Sequence, residues 1–303
     1  MRRSRRPPTS AFLDRRELRS LVERALVEDR ADSDRTTRLL LPGPVPAVGL
    51  VEAQGAGVLA GMIAAREVAR VMRLRQRSFH EDGDRVRKGT RVLELEGDAR
   101  RILSAERTLL NFLMHLSGVA TVTAKAVRAA GGSANGPSLG IYATRKTLPG
   151  LRDLEKAAVI AGGGLPHRRD LASGILIKNN HLALVPLRIA VARARSDVPT
   201  GRPAQVEVRS ADQAVEAAKL GARALLLDNM SPRAARTAIR RLAAEVSGAR
   251  PFVEISGGIT PQNVARFRST GADAVSIGSL THSAPALSFH LTLRRRPARS
   301  PRA

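Results

Sequence analysis

The chain has 303 residues, of which 43% are hydrophobic, a formal net charge of +24 and no cysteine. This composition favours a globular protein of one large or two ordinary domains, and it excludes disulfides and thiolate chemistry. No apolar run approaches the roughly 20 residues that span a bilayer, and no apolar segment follows the N-terminal arginines. We therefore expect neither a membrane span nor a signal peptide, and the lack of cysteine fits a reducing cytoplasm.

The basic charge admits two interpretations. Nucleic-acid binding is one, but the aromatic content is 2% and tryptophan is absent, which leaves no platform for stacking single-stranded bases. The other is that much of the charge lies in solvated tails, residues 1–10 and 294–303, which are rich in Arg, Pro and Ser and are predicted to be disordered. We favour tails over specific nucleic-acid binding, with the remaining charge attracting small anions.

Residues 11–130 predict an N-terminal α+β domain of the open-faced sandwich type. Leu18, Val22 and Leu26 form an apolar stripe with helical spacing, and later segments alternate between apolar and polar residues as strands do. The expected elements are a helix at 11–28, strands within 45–60, a helix at 63–72, strands within 78–97, and a long helix at 100–130 broken near Ser117-Gly118. The glycines from Gly131 onward predict a linker to Pro137.

Residues 138–293 predict a different architecture, in which short apolar strands alternate with helices. Such βα repeats indicate a parallel sheet buried on both faces, and an α/β barrel is the natural closed form. Fewer than eight strands are found, so the barrel is expected to be incomplete or irregular. Strands are predicted near 141 and at 175–177, 205–208, 224–227, 252–255 and 274–277, with helices at 186–195, 211–220, 232–246 and 261–270.

Polar residues follow these strands at the edge where α/β barrels carry their functional groups. Guanidinium and ammonium groups gathered there suit a substrate with several carboxylates or phosphates, and glycine-containing turns before helices can hold phosphate. Only six lysines occur in the chain, and Lys146 and Lys178 are two of them. The strand ends offer Thr144-Arg145-Lys146, Lys178-Asn179-Asn180-His181, Glu207, Asp228-Asn229, Ser256-Gly257-Gly258 and Ser276-Ile277-Gly278.

Each of these residues also has a purely structural explanation. Asp228-Asn229 could cap the following helix, and Glu207 could be the buried partner of an arginine. His167 and His181, taken singly, are more often hydrogen-bonded structural residues than catalysts. Their conjunction in barrel order favours a functional site.

Longer motifs at these positions resemble the quinolinate phosphoribosyltransferase family, the carboxylating nicotinate-nucleotide diphosphorylases of NAD biosynthesis. They cover nearly the whole chain except the tails, and they are specific in combination. The motifs are Glu106-Arg107-Thr108, Ala143-Thr144-Arg145-Lys146-Thr147-Leu148-Pro149-Gly150, His167-Arg168, Ile177-Lys178-Asn179-Asn180-His181, Val206-Glu207-Val208, Leu227-Asp228-Asn229, Glu254-Ile255-Ser256-Gly257-Gly258 and Gly278-Ser279-Leu280-Thr281-His282.

The resemblance implies a pentosyltransferase that joins quinolinate to phosphoribosyl pyrophosphate, with Mg²⁺ as cofactor, in a cytoplasmic homodimer with shared active sites. Quinolinate would be bound by Thr144, Arg145, His167 and Arg168, with Arg107 supplied by the neighbouring subunit. The catalytic residues would be Lys146, Lys178, Glu207 and Asp228, of which the two acids also face Mg²⁺. Phosphate would be bound by Ser256, Gly257, Gly258, Gly278, Ser279 and His282.

Two residues depart from the family pattern. Many members have an acidic residue where Ala143 stands, and many have Glu in place of Arg209, two residues after Glu207. Arg209 could therefore alter metal or ribose binding. The alternatives to the main prediction are a divergent paralogue, such as the molybdenum-operon pyrophosphorylase-like proteins, and a basic nucleic-acid-binding protein.

Overall fold

A computed structural model describes residues 14–131, 139–196 and 203–296 of the chain. The predicted disordered tail at 1–10 and residues 297–303 of the second tail lie outside this part. The chain divides into two compact units, the first made of residues 1–121, 153–163 and 284–303 and the second of residues 122–152 and 164–283. Within the described ranges, no helix combines the length and the apolar character needed to cross a membrane.

The first unit is built on an antiparallel four-stranded sheet with the order β12-β1-β5-β3. Its strands are β1 (Pro46–Ala53), β3 (Arg75–Ser78), β5 (Arg91–Asp98) and β12 (Phe289–Arg295), and β2 (Gly57–Val58) pairs separately with β4 (Arg85–Val86). The helices are α1 (Arg15–Glu28), α2 (Arg35–Leu40), α3 (Met62–Val71) and the N-terminal part of α4 (Ala99–Ala129). The predicted α+β character is confirmed.

The predicted break in the long helix is wrong, because α4 runs without interruption past Ser117 and Gly118. The Ser117 hydroxyl is buried and exchanges hydrogen bonds of 3.0 Å with the backbone N–H and C=O of Ala60. A Cβ at Gly118 would collide with the carbonyl oxygen of Pro285. These two small residues thus allow neighbouring backbone to approach the helix closely, which is a packing role rather than a helix stop.

The second unit is built on a six-stranded, all-parallel sheet with the order β6-β11-β10-β9-β8-β7. Five strands, β7 to β11, are neighbours in sequence order, while β6 pairs with the last of them, β11, so β6 and β7 form the two edges. A single parallel bridge from Tyr142 to Leu165 extends the β6 edge. The strands are β6 (Gly140–Tyr142), β7 (Leu176–Ile177), β8 (Gln205–Val208), β9 (Ala224–Asp228), β10 (Phe252–Ser256) and β11 (Ala274–Ser276). The predicted incomplete α/β barrel agrees with this arrangement.

Helices follow most of these strands, as the alternation predicted. They are α5 (Arg152–Ala161), α6 (Asn179–Leu182), α7 (Leu187–Ser196), α8 (Ala211–Lys219), α9 (Pro232–Glu245) and α10 (Ser279–His282). The helix predicted at 261–270 is wrong, since only a 3-10 turn, Val264–Phe267, forms there. Thr260 and Asn263 exchange side-chain hydrogen bonds with each other's backbone N–H, and such bonds compete with a regular helix.

The predicted domain boundaries also differ from the units of the structure. The boundary between the units falls within α4, and residues 153–163 group with the first unit. The prediction assigned 284–293 to the barrel, but β12 pairs with β1 in the first unit. Arg294 and Arg295 belong to this strand rather than to a disordered tail. Pairing of β12 with β1 satisfies backbone hydrogen bonds that a sequence pattern does not reveal.

Asp34 caps the N-terminus of α2, where its carboxylate accepts the backbone N–H of Thr37 at 3.0 Å. Side-chain and backbone hydrogen bonds from Thr37 lower the pKa of Asp34. We expect Asp34→Ala to reduce the free energy of unfolding by about 1 kcal/mol at neutral pH, as for other N-cap losses. Asp34→Asn, the control, retains an acceptor and should lose less.

The lowered pKa fixes the sign of the pH dependence. The stability contributed by Asp34 is present above its unfolded pKa and is lost as the pH falls through its lower folded pKa. Urea unfolding followed between neutral and acidic pH should therefore show a smaller loss on acidification for Asp34→Asn than for the wild type. Equal losses in the two proteins would contradict the capping role.

Candidate active site

The carboxyl ends of the parallel strands place polar residues at one level of the sheet. In the strand register, Ser256 lies opposite Asp228 on one side and Ser276 on the other, and Ser276 lies opposite Tyr142. The loops carrying the predicted site residues start directly after this row. The structure thus brings these loops to one edge of the sheet, as expected for an α/β barrel site.

Arg145 and Arg168, from the loop after β6 and the loop before β7, form a pair of like charges. Burial, followed by the positive charge of Arg145, lowers the pKa of the Arg168 guanidinium. Arg168 Nη1 donates to the carbonyl oxygen of Gly174 at 3.0 Å, and Asp170 opposes the shift only as the weakest contribution. Two guanidinium groups that repel each other in a half-buried setting form a site for an anion with more than one acidic group.

A second cationic group surrounds Gly278 at the end of β11. An ideal Cβ at Gly278 would lie 3.0 Å from Lys146 Cδ and 3.2 Å from His282 Nε2, so both side chains border this glycine. The hydroxyl of Thr281 donates to the Lys146 carbonyl oxygen at 2.7 Å and fixes this loop against α10. Ser279, at the start of α10, lies beside Gly278. A lysine, an imidazole and an uncovered backbone together suit a phosphate group.

Glu207, on β8, is held by the loop after β7. Its Oε1 accepts the side-chain amide of Asn179 at 2.6 Å and the backbone N–H of Asn179 at 3.2 Å. Lys178 precedes Asn179 and is exposed, and its backbone N–H donates to His181 Nδ1 at 2.9 Å. His181 therefore has a structural role in this loop, whereas the Lys178 ammonium faces solvent at the same edge as Glu207.

Asp228, at the end of β9, contacts Arg209, the residue that stands where many family members have Glu. Arg209 Nε lies 3.5 Å from Asp228 Oδ2, with the Arg209 side chain 65% exposed and that of Asp228 17% exposed. Asn229 Nδ2 donates to the other carboxylate oxygen of Asp228 at 3.0 Å. A bridge this exposed contributes little to stability, so Arg209 can move away when an anion or a cation binds.

The turn after β10 is shaped by glycines. Gly257 and Gly258 have φ angles of +93° and +63°. A Cβ at Gly257 would collide with the side chain of Asn229, and Asn263 Nδ2 donates to the Gly258 carbonyl oxygen at 2.9 Å. Only glycine adopts such consecutive angles without strain, and the turn leaves its backbone open at the end of the sheet.

His167 lies in the loop before β7 and is partly buried. Its φ of +55° is left-handed, its Nδ1 accepts the backbone N–H of Arg168 at 2.8 Å, and its Nε2 lies 3.3 Å from Glu254 Oε2. The predicted contact of His167 with substrate stays a prediction, because both ring nitrogens have protein partners here. Glu254, Gln205 and Tyr142 line the same cavity of about 330 Å³ as His167 and Arg168.

Sequence reasoning assigned no role to Glu254, Gln205 or Asn179, although Asn179 contacts Glu207, Glu254 contacts His167, and Gln205 contacts Glu254. One signal was available for Glu254, because a carboxylate within an apolar strand is costly to bury without a partner. No pattern in the sequence indicated that Asn179 would bind Glu207. Arg107 lies exposed on α4 in the first unit.

Among the described residues, no group of three or more His, Cys, Asp or Glu side chains is placed to hold a metal ion. The two acids that were predicted to face Mg²⁺ are Glu207, bound by Asn179, and Asp228, bound by Arg209. One or two carboxylates are sufficient for Mg²⁺ when substrate phosphates provide further ligands. The residues therefore fit a magnesium ion that arrives with a phosphorylated substrate better than a resident one.

Two family models match almost the entire described chain. The model of the quinolinate phosphoribosyl transferase N-terminal domain matches residues 34–117, and that of the C-terminal domain matches residues 119–292. The chain belongs to the quinolinate phosphoribosyl transferase family.

Members of this family from distant organisms are similar along their full length. A probable carboxylating nicotinate-nucleotide pyrophosphorylase of Methanothermobacter thermautotrophicus is 39% identical over 275 residues, 90% of this chain and 98% of the relative. The carboxylating nicotinate-nucleotide pyrophosphorylase of Mycobacterium leprae is 37% identical, covering 91% of this chain and 96% of the relative. A crystal structure of NadC from Streptococcus pyogenes, 37% identical, superposes with a TM-score of 0.85 over 94% of this chain and 99% of that one.

The pairing of Arg145 with Arg168 yields a prediction about ligand-dependent stability. Quinolinate at about 100 times its Kd should stabilise the wild type by about 2.7 kcal/mol, because it binds the folded protein and not the unfolded chain. We expect Arg168→Gln to abolish this gain while lowering the ligand-free stability by less than about 1 kcal/mol, since the lost hydrogen bond is offset by the relieved repulsion. Thermal unfolding with and without quinolinate measures both, and an undiminished gain in the variant would contradict the assignment.

Proposed function

We propose that the chain catalyses the transfer of a phosphoribosyl group to quinolinate, giving nicotinate mononucleotide, pyrophosphate and CO2 in the biosynthesis of NAD. The observation that carries the proposal is the half-buried guanidinium of Arg168, whose pKa is lowered by burial and by the positive charge of Arg145, a setting that suits a substrate with more than one negative charge. Quinolinate has two adjacent carboxylates, whereas nicotinate has one. The family membership of the chain supports the same reaction.

The cationic residues at the sheet edge divide between the two substrates. Arg145 and Arg168, with Thr144 beside them, would bind the carboxylates of quinolinate. Lys146 and Lys178 would lie between quinolinate and the phosphoribosyl donor. The phosphate groups of the donor would bind at the turn after β10 and at the cluster of Gly278, Ser279 and His282.

The two carboxylates would act on the ribose. In the transfer step, the ring nitrogen of quinolinate bonds to the anomeric carbon while the bond from that carbon to pyrophosphate breaks. Positive charge develops on the sugar as pyrophosphate leaves, and Glu207 and Asp228 would stabilise it electrostatically. Asn179 holds Glu207 in a fixed position for this role. Pre-organised charge is effective because it costs no reorganisation during the reaction.

Decarboxylation follows from the charge on the ring. After transfer the ring nitrogen is quaternary and positive, so it stabilises the electron pair left at the adjacent carbon when the carbon–carboxylate bond breaks. CO2 leaves, and that carbon takes up a proton. No separate decarboxylation cofactor is needed, and Mg²⁺ bound with the donor would neutralise the pyrophosphate.

The cytoplasmic dimer predicted from the family resemblance is part of this proposal. Arg107, exposed on α4, would complete the quinolinate pocket of a second copy of the chain. Three large apolar side chains of the first unit, Val27, Leu39 and Leu40, are 75%, 80% and 69% exposed. Large exposed apolar side chains suit burial against a protein surface, which supports assembly through this unit.

Turnover with defined substrates tests the reaction. Purified protein incubated with phosphoribosyl pyrophosphate and Mg²⁺ should form nicotinate mononucleotide and CO2 from quinolinate, and no product from nicotinate. Glu207→Ala and Asp228→Ala should each reduce kcat by about 100-fold or more through lost electrostatic stabilisation. A folded variant with near-normal turnover would contradict the role of that carboxylate.

Arg209 offers a contrast with these acids. Arg209→Glu restores the residue type common in the family without removing a proposed catalytic group. If the wild type is folded but inactive with both substrates, recovery of activity in Arg209→Glu would trace the loss to this residue.

Complementation tests the shared site. Homodimers of Arg107→Ala and of Lys178→Ala should both be nearly inactive, because each lacks one group in every site. Mixed dimers should regain activity, since one of their two sites carries neither substitution. Purified heterodimers without activity would exclude a contribution of Arg107 across subunits.

A further inference from the structure

A buried carboxylate lies outside the proposed mechanism, beneath the cationic rim. Glu254, in the middle of β10, is 2% exposed. Because side chains alternate along a strand, Glu254 lies on the same face as Phe252 and Ser256, and it lines the cavity of about 330 Å³. A carboxylate at this depth must be hydrogen-bonded to remain charged, so its partners reveal its role.

Three side chains contact the Glu254 carboxylate, namely Gln205, His167 and Ser276. Gln205 Nε2 donates to Glu254 Oε2 at 3.1 Å, and His167 Nε2 lies 3.3 Å from the same oxygen. Burial alone would raise the pKa of Glu254, but its interactions with His167, Ser276 and Gln205 outweigh burial, so the pKa is lower than usual.

The hydrogen bonds of His167 assign its tautomer. Its Nδ1 accepts the backbone N–H of Arg168 at 2.8 Å, so Nδ1 carries no proton. The proton lies on Nε2 and is directed to Glu254. Tyr142 packs edge-on against the imidazole with the ring centroids 5.6 Å apart. The ring is thus fixed on three sides, by Glu254, by the Arg168 peptide and by Tyr142.

This fixed ring determines the position of Arg168. The left-handed backbone of His167, with φ of +55°, is unfavourable for a residue with a side chain and persists only where its surroundings enforce it. The hydrogen bond from the Arg168 peptide to His167 Nδ1 does so at one end. The bond from Arg168 Nη1 to the Gly174 carbonyl oxygen holds the guanidinium at the other end.

We infer that Glu254 is a positioning residue for the dicarboxylate substrate. Through His167 it fixes the Arg168 peptide, and it thereby holds the Arg168 guanidinium near Arg145 against their repulsion. The inference rests on the proposed function, since it concerns the carboxylate-binding half of the same site. Gln205, which contacts only Glu254 in this network, holds the carboxylate in turn.

An electrostatic role and a positioning role of Glu254 predict opposite changes in quinolinate binding. A negative charge below the site repels a dianion, so loss of the charge alone would tighten quinolinate binding. Loss of the positioning would weaken quinolinate binding and leave the donor unaffected. The direction of the change in Glu254→Met, which keeps a similar side-chain volume and removes both the charge and the hydrogen-bond acceptor, therefore separates the two.

The test measures steady-state kinetics of Glu254→Met with each substrate varied in turn, and quinolinate binding by calorimetry without the donor. We expect KM and Kd for quinolinate to rise about tenfold or more, as for other residues that orient a binding group through a hydrogen bond. KM for phosphoribosyl pyrophosphate should change by less than about twofold, because its proposed contacts lie elsewhere. Unchanged or tighter quinolinate binding would overturn the inference.

Two further variants keep the test decisive. Gln205→Leu removes the hydrogen bond to Glu254 Oε2 and should weaken quinolinate binding in the same direction, so it carries the test if Glu254→Met does not fold. Ile255→Val is the matched control. Ile255 is fully buried, and because side chains alternate along β10 it points to the face opposite Glu254. Its KM for quinolinate should equal that of the wild type.

Failure of the inference and failure of the proposed function give different results. If wild-type protein neither binds nor converts quinolinate, the proposed function fails. If the wild type binds and converts it and both network variants do so with unchanged KM, only the positioning role of Glu254 fails.

Discussion

The repulsion between Arg145 and Arg168 is the constraint on which the site depends. Two guanidinium groups are held near each other in a half-buried setting, where water screens their charges less than at the surface. Burial and the charge of Arg145 both lower the pKa of the Arg168 guanidinium, and an anionic ligand would offset both effects. The two guanidinium groups are thus complementary to the negative charge of a ligand. A ligand that supplies this charge should also stabilise the loops around β6 and β7 that carry them.

The parallel sheet holds the cationic and acidic side chains at different positions along its strands. The cationic loops follow the strands, the carboxylates of Glu207 and Asp228 sit on neighbouring strands beside them, and Glu254 lies below, within β10. Each acid has a specific partner, namely Asn179, Arg209 and His167 respectively. Because the backbone of a parallel sheet is rigid, the strand positions determine which charged side chains contact one another.

Much of the fold could be predicted because it depends on local patterns. Alternating apolar strands and helices predicted the parallel sheet, and the residues after each strand predicted its functional edge. The errors occurred where distant contacts override local signals. Gly118 suggested a break but serves close packing against Pro285, and β12 pairs across the chain with β1. The same limit explains why the sequence indicated Arg168 but not the network of Glu254 and His167 that fixes it.

A crystal structure of the protein with quinolinate tests the central claim most directly. The account predicts that the two carboxylates of quinolinate lie within hydrogen-bond distance of the guanidinium groups of Arg145 and Arg168, with the ring nitrogen facing the edge that carries Glu207 and Asp228. Quinolinate bound with either guanidinium unoccupied by a carboxylate, or bound away from this pair, would contradict it.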